Sequence, residues 1–208
     1  PYWQLGYEAA SNPKKNFKLG NNGAGYGAIA GNIKGGLGSA SIYVPELDIT
    51  VGAIAAVNSA GSVLIPGTKA FYAWDMELEN EFGGILPPEN FDKAIIAVPK
   101  HSSLHENTTL AVVATDANLT KSETRRLAII SQNGLSRAIR PSSTPLDGDI
   151  VFAISTGEKN IDDKVTKIGT LGAHAANCLG RSVARAVYEA ETLGKISSYQ
   201  DLQDNDEN

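Results

Sequence analysis

Thr108 stands where a polar stretch, residues 102–107, runs into the apolar, β-branched run TLAVVAT at 109–115. A threonine at that junction is held rigidly at the start of a strand. If the peptide bond before it were cut, Thr108 would carry a free α-amine beside its own hydroxyl. An amine with an ordinary pKa of about 7.7–8.0 can then act as the base for that hydroxyl near neutral pH. The tripeptide Asn107-Thr108-Thr109 also has two plainer readings, a glycosylation sequon and a surface turn. Asn118-Leu119-Thr120 is a second sequon. Asp147-Gly148-Asp149 places two carboxylates two residues apart at the start of another strand. Alone this is a turn leading into a strand. Beside a nucleophile, the same carboxylates could orient it and hold a proton through mutual repulsion.

Other patterns carry less. Gly23-Ala24-Gly25-Tyr26-Gly27 hints at a nucleotide loop, but no strand precedes it and no acidic residue follows at the required distance. Lys34 is followed by Gly35, so the phosphate-loop pattern fails as well. The glycines from 20 to 38 are read instead as tight turns packed in the core. His101 and His105 could share a helical face and bind a metal, but no further ligand stands at zincin spacing, and a solvated loop is the better reading. A Ser-His-Asp triad is possible in composition, without a Gly-x-Ser-x-Gly elbow to support it.

Composition narrows the classes. The chain has 208 residues, 42% hydrophobic and 20% charged, which suits one soluble globular domain with a sizeable core. Its net charge of −5 argues against general nucleic-acid affinity. The single cysteine, Cys178, reads as a buried apolar residue. No apolar run approaches the roughly 18 residues needed to cross a bilayer, and a cytoplasmic location is expected.

The elements that must position Thr108 follow from pattern. A helix is predicted over 2–10, ended by Asn12-Pro13. Strands are predicted at 39–44 and 48–57, the second apolar enough to be buried on both faces. Residues 66–100 read as a long surface excursion. Thr120 and Glu123 have capping-box spacing for a helix reaching Arg137. A strand covers 149–155, and a helix covers 168–193 with Ala176, Leu179, Val183, Val187 and Ala190 on one stripe. The acidic tail 201–208 reads as disordered. The remainder, 1–200, is expected to be one domain of α/β (α+β) class with helices covering one or two sheets.

Several segments together resemble one family: GNNGAGYG at 20–27, KGGLGSAS at 34–41, VGAIAAVN at 51–58, NTTLAVVATDA at 107–117 and DGDIVFA at 147–153. The set is similar to the DmpA-type L-aminopeptidase/D-esterase family, peptidase family S58, and within it to the branch holding the nylon-oligomer (6-aminohexanoate oligomer) endohydrolase. The resemblance spans residues 2 to 193. It implies an αββα sandwich like that of N-terminal-nucleophile hydrolases. It further implies self-cleavage between Asn107 and Thr108 into an α chain (1–107) and a β chain (108–208). Carried over residue by residue, the family pattern implies Thr108 as nucleophile, Asn58 as oxyanion donor, Lys34 as the lysine of the Lys-Gly-Gly motif assisting the α-amine, and Asp147 and Asp149 as the paired acids. Tyr7 is the match for an active-site tyrosine. No metal or cofactor is implied, and the substrate is a small amide or peptide, with a tetramer of αβ units as the expected assembly. Family members carry a further segment before Pro1, including strands of the sandwich, so the N-terminal part of the fold is expected to be missing here. Four readings stay open: a nylon-oligomer-type amidohydrolase, an L-aminopeptidase/D-amidase-esterase of the same family, an ordinary serine aminopeptidase with a separate triad, and a non-catalytic binding or structural protein on the same fold.

Overall fold

The computed structural model describes residues 2–91 and 107–204. Helix α1 (Tyr2–Ser11) is followed by the glycine-rich turns and a small hairpin of β1 (Ile29–Ala30) and β2 (Ile33–Lys34). Strands β3 (Gly36–Val44), β4 (Ile49–Asn58), β5 (Thr108–Ala117) and β6 (Ile150–Lys159) form one four-stranded sheet in that order. β3, β4 and β5 run antiparallel in turn, and β6 lies parallel to β5. Helices α2 (Lys121–Ser131), α3 (Asn133–Ala138) and α4 (Lys164–Tyr188) pack together, α4 over β3 and β4 and α2 over β6. The short helix α5 (Tyr199–Asp204) ends the described chain. Among the described residues the sandwich is thus represented by one helical layer, the four-stranded sheet and the β1–β2 hairpin.

Alternation explains the core. On β4, Ile49, Val51, Ala53, Ala55 and Val57 are buried against the helices. The intervening Ile54 and Ala56 are only half-buried, so β4 has one fully buried face and not the expected two. Helix α4 answers with Leu171, Leu179 and Val183, each fully buried and each worth about 1.5–3 kcal/mol of transfer free energy. Small residues on β3 bring the helix unusually near. A Cβ on Gly38 would stand 1.9 Å from the Ser182 carbonyl oxygen, so only glycine fits there. The glycines of the KGGLGSAS segment therefore serve helix-on-sheet packing as well as turns.

Two other expectations change. Residues 66–91 are not a loose excursion: Phe71, Tyr72, Met76 and Phe82 are buried, with Phe71 edge-on to Phe82 at 5.4 Å and tilted on Tyr199 at 4.7 Å. Glu81 also forms an ion pair with the buried Arg181 of α4. Residues 201–204, expected in the disordered tail, belong to α5, which also carries the fully buried Tyr199, whose hydroxyl donates to the Lys69 carbonyl at 2.9 Å; the rest of the expected tail lies outside the described residues. The capping box forms as expected, with Thr120 N–H donating to Glu123 Oε2 at 2.7 Å. The helix it starts does not run unbroken to Arg137. It stops at Ser131, and α3 begins anew where Gly134 lies against the Ala176 carbonyl. Helix α4 starts four residues earlier and ends five residues sooner than the apolar stripe predicts.

Candidate active site

The four strands end together at one edge of the sheet, and Thr108 is the first residue of β5 there. Asn58, the last residue of β4, lies directly opposite it in register. On the other side a parallel bridge pairs Asn107 with Asp147. Two residues 50 positions apart and a turn 40 positions further on thus meet through sheet pairing alone.

The Asn107–Thr108 peptide is gripped closely. The Thr108 hydroxyl donates to the Asn107 carbonyl oxygen at 2.7 Å. The Gly148 N–H donates to the same oxygen at 2.8 Å. A Cβ on Gly148 would stand 2.7 Å from Thr108 Oγ1, so the hydroxyl occupies the space that a side chain there would need. The Asn107 side-chain nitrogen is buried and lacks a hydrogen-bond partner.

Both aspartates act on backbone around the threonine. Asp149 accepts from the Thr109 N–H at 2.8 Å and the Ser143 N–H at 3.2 Å. Burial pushes its carboxyl above the usual carboxylate range, against the pull of those two donors. Asp147 accepts from Ala60 N–H at 3.2 Å, and from the N–H and hydroxyl of Thr144 at 3.0 and 2.8 Å. Together they clamp the 147–149 turn to the ends of β4 and β5.

Asn58 accepts the Ile29 N–H on its side-chain oxygen at 2.9 Å, which turns that oxygen toward the β1–β2 hairpin. Asn58 and Thr108 share a cleft of about 460 Å³ with Tyr2, Ala24, Gly27, Ala28, Ala56 and Leu110. The cleft is lined by the glycine-rich turn on one side and by the open face of β4 and β5 on the other.

Lys34 is 1% exposed and does not line that cleft. Its ammonium donates to the carbonyls of Gly25 at 3.0 Å, Ala28 at 2.9 Å and Gly35 at 2.7 Å. Burial lowers its pKa from the ordinary lysine value. Three donors meeting three carbonyls leave no lone pair to take a proton, so Lys34 pins the glycine-rich wall of the cleft. Tyr7 is 63% exposed, stacks on Trp3 at 5.6 Å and is absent from the cleft lining, where Tyr2 stands instead.

The structure therefore brings Thr108, Asn58, Asp147 and Asp149 to one strand edge, puts Lys34 behind the wall of the cleft and leaves Tyr7 outside it. Gly148, Ala60, Thr144 and Ile29 were not among the residues singled out by sequence. A glycine between two acids at a strand start was the available signal for Gly148. His101 and His105 lie outside the described residues, and His174 sits 3.7 Å from Glu46. No cluster of three or more metal-ligating side chains occurs among the described residues. No described helix is long and apolar enough to cross a membrane. Cys178 is buried, with its thiol pushed up to about 11 by burial, which makes it inert.

Comparison with known proteins points to one family. The model of peptidase family S58 matches residues 3–200. An uncharacterized aminopeptidase of Mycobacterium tuberculosis is 37% identical over 215 residues, covering 97% of this chain and 62% of that protein. The chain thus spans less than two thirds of that relative's length. Among solved structures, the L-aminopeptidase D-Ala-esterase/amidase of Ochrobactrum anthropi, described as a variant of the Ntn-hydrolase fold, superposes with a TM-score of 0.67 at 20% identity, over 95% of this chain and 55% of that one. A Burkholderia β-aminopeptidase gives 0.64 at 21% identity, over 94% and 55%.

Proposed function

The chain belongs to peptidase family S58, and on that premise we propose that it is an amide hydrolase that cuts its own Asn107–Thr108 bond and then works with Thr108 as an N-terminal nucleophile. The observation that carries this reading is the Thr108 hydroxyl, held 2.7 Å from the carbonyl oxygen of the bond to be cut, at the mouth of a cleft.

In the uncut chain, Oγ1 attacks the Asn107 carbonyl carbon. The C–N bond breaks, the hydroxyl proton ends on the Thr108 nitrogen, and an ester links the two residues. Water hydrolyses that ester, leaving a carboxyl on Asn107 and both a free hydroxyl and a free α-amine on Thr108. In the cut protein the α-amine takes the Oγ1 proton as the hydroxyl attacks a substrate amide. The Asn58 amide donates to the developing oxyanion, a contact of the kind worth about 2.7–4 kcal/mol in other hydrolases. The substrate's amine leaves with the proton, and water releases the acyl group. Asp147 and Asp149 hold the backbone that carries Thr108.

The names of the relatives favour an aminopeptidase acting on peptide N-termini. A peptide-like oligomer such as a 6-aminohexanoate oligomer is the second reading, favoured by the resemblance to the nylon-oligomer branch. An L-aminoacyl anilide and a 6-aminohexanoate oligomer, assayed side by side, separate the two. The test of the mechanism is Thr108→Ala. Wild-type protein should give two bands on a denaturing gel and the variant one, with no amide hydrolysis. Two bands from the variant would refute the assignment.

A further inference from the structure

We propose that Gly148 is a catalytic residue of the self-cleavage step: its backbone N–H is the oxyanion donor on the Asn107 carbonyl, and its missing side chain is the space in which the Thr108 hydroxyl sits. The proposal rests on the self-processing reading above.

Two independent distances meet at one peptide. The Gly148 N–H reaches the Asn107 oxygen at 2.8 Å, the distance expected of a donor placed for a developing oxyanion. When Oγ1 bonds to the carbonyl carbon, the C=O electrons move onto that oxygen, and a donor already in place strengthens its bond without rearrangement. The second distance is steric. A Cβ at 148 would lie 2.7 Å from Oγ1, closer than real Cβ contacts come. Any side chain there would push the nucleophile from its place.

The donor is fixed on both flanks. Asp147 ties the turn to Ala60 and Thr144, and Asp149 ties it to Thr109 and Ser143. The Asn107–Asp147 bridge sets the register between the bond to be cut and the N–H that faces it. Gly148 does not adopt a left-handed backbone, so glycine is required there by contact and not by conformation. Alanine can therefore occupy the backbone, and only the nucleophile stands in its way.

Two variants test the two halves. Gly148→Ala keeps the N–H and adds the methyl group. An amide-to-ester replacement at residue 148, installed as glycolic acid during cell-free translation, deletes the N–H and adds nothing. Each is followed by the rate at which the full chain splits into two bands, with the melting temperature measured on the same samples. Both should retain a cooperative melt and split about 10²–10³-fold more slowly than wild type, the loss typical of one oxyanion donor. Adding Thr108→Ser to Gly148→Ala should recover part of the rate, because serine lacks the methyl that restricts the hydroxyl. Splitting of the ester variant at the wild-type rate overturns the oxyanion role. Splitting of Gly148→Ala at the wild-type rate overturns the steric one. A wild-type chain that never splits, or a Thr108→Ala chain that does, fails the parent reading instead.

Discussion

The two ends of the four-stranded sheet are fastened by opposite means. At the end where β3 and β5 begin and β4 finishes, the fasteners are half-buried carboxylates that accept backbone N–H groups, a buried lysine caged by carbonyls and a glycine against a hydroxyl. At the far end the strands are laced by solvated charges. Lys159 of β6 reaches Asp48 at 3.1 Å and Asp116 of β5 at 3.5 Å, while the Tyr43 hydroxyl of β3 donates to Asp48 at 2.8 Å. The first kind holds its groups more firmly, because partly buried donors and acceptors have less water to turn to. The second kind contributes little, since exposed pairs trade one set of hydrogen bonds for another. The difference separates the end that places Thr108, the proposed nucleophile, from the end that merely closes a sheet.

Substitutions can break or sharpen that contrast. The largest effect is expected at Asn58→Ala, which should lower turnover by about 10²–10³-fold while the cleft wall stays folded. Steady-state rates on an amide substrate check this, and full activity would remove Asn58 from the site. An intermediate, pH-dependent effect is expected at Asp149. Burial raises its folded-state pKa above the unfolded value of about 3.9. Its stabilising contribution is therefore complete below that pH and is lost as pH rises through the folded value. The stability of the wild type minus that of Asp149→Asn should accordingly decline with rising pH across that window and level off above it. Denaturant midpoints across a pH series measure this, and a difference that grows with pH would contradict it. The smallest effect belongs to the far end. Lys159→Ala should barely move the melting temperature, less still at high salt, and should leave self-cleavage untouched. A slowed cleavage would mean that the two ends are coupled.

How far the sequence could be read follows the same division. The TLAVVAT run and the Thr120/Glu123 spacing announce β5 and the start of α2 because strand pattern and capping are local chemistry. Thr108, Asn58 and the two aspartates were legible through family resemblance, and sheet register then gathers them. Three features were not legible. The burial of Phe71 and Phe82 depends on Tyr199 and α4, more than 80 positions away. Lys34 is expected, through the resemblance, to assist the α-amine, and only the fold shows its three hydrogens spent on carbonyls. Gly148 reads as a spacer between acids because an absent side chain has no pattern of its own. Tyr7 is matched through a spacing that varies upstream of the glycines, and the fold leaves it exposed on α1, stacked on Trp3.

The stranded Asn107 amide has a thermodynamic consequence. A desolvated donor without an acceptor costs about 1–3 kcal/mol. With residue 107 paired to Asp147 and joined to 108, the strand around it keeps that nitrogen buried. Under the proposed cut, residue 107 becomes a chain terminus free to rotate and hydrate that nitrogen, so scission would discharge a small strain built into the uncut fold. Religation would have to restore it, and the proposed cut would thereby gain a ratchet from a single side chain.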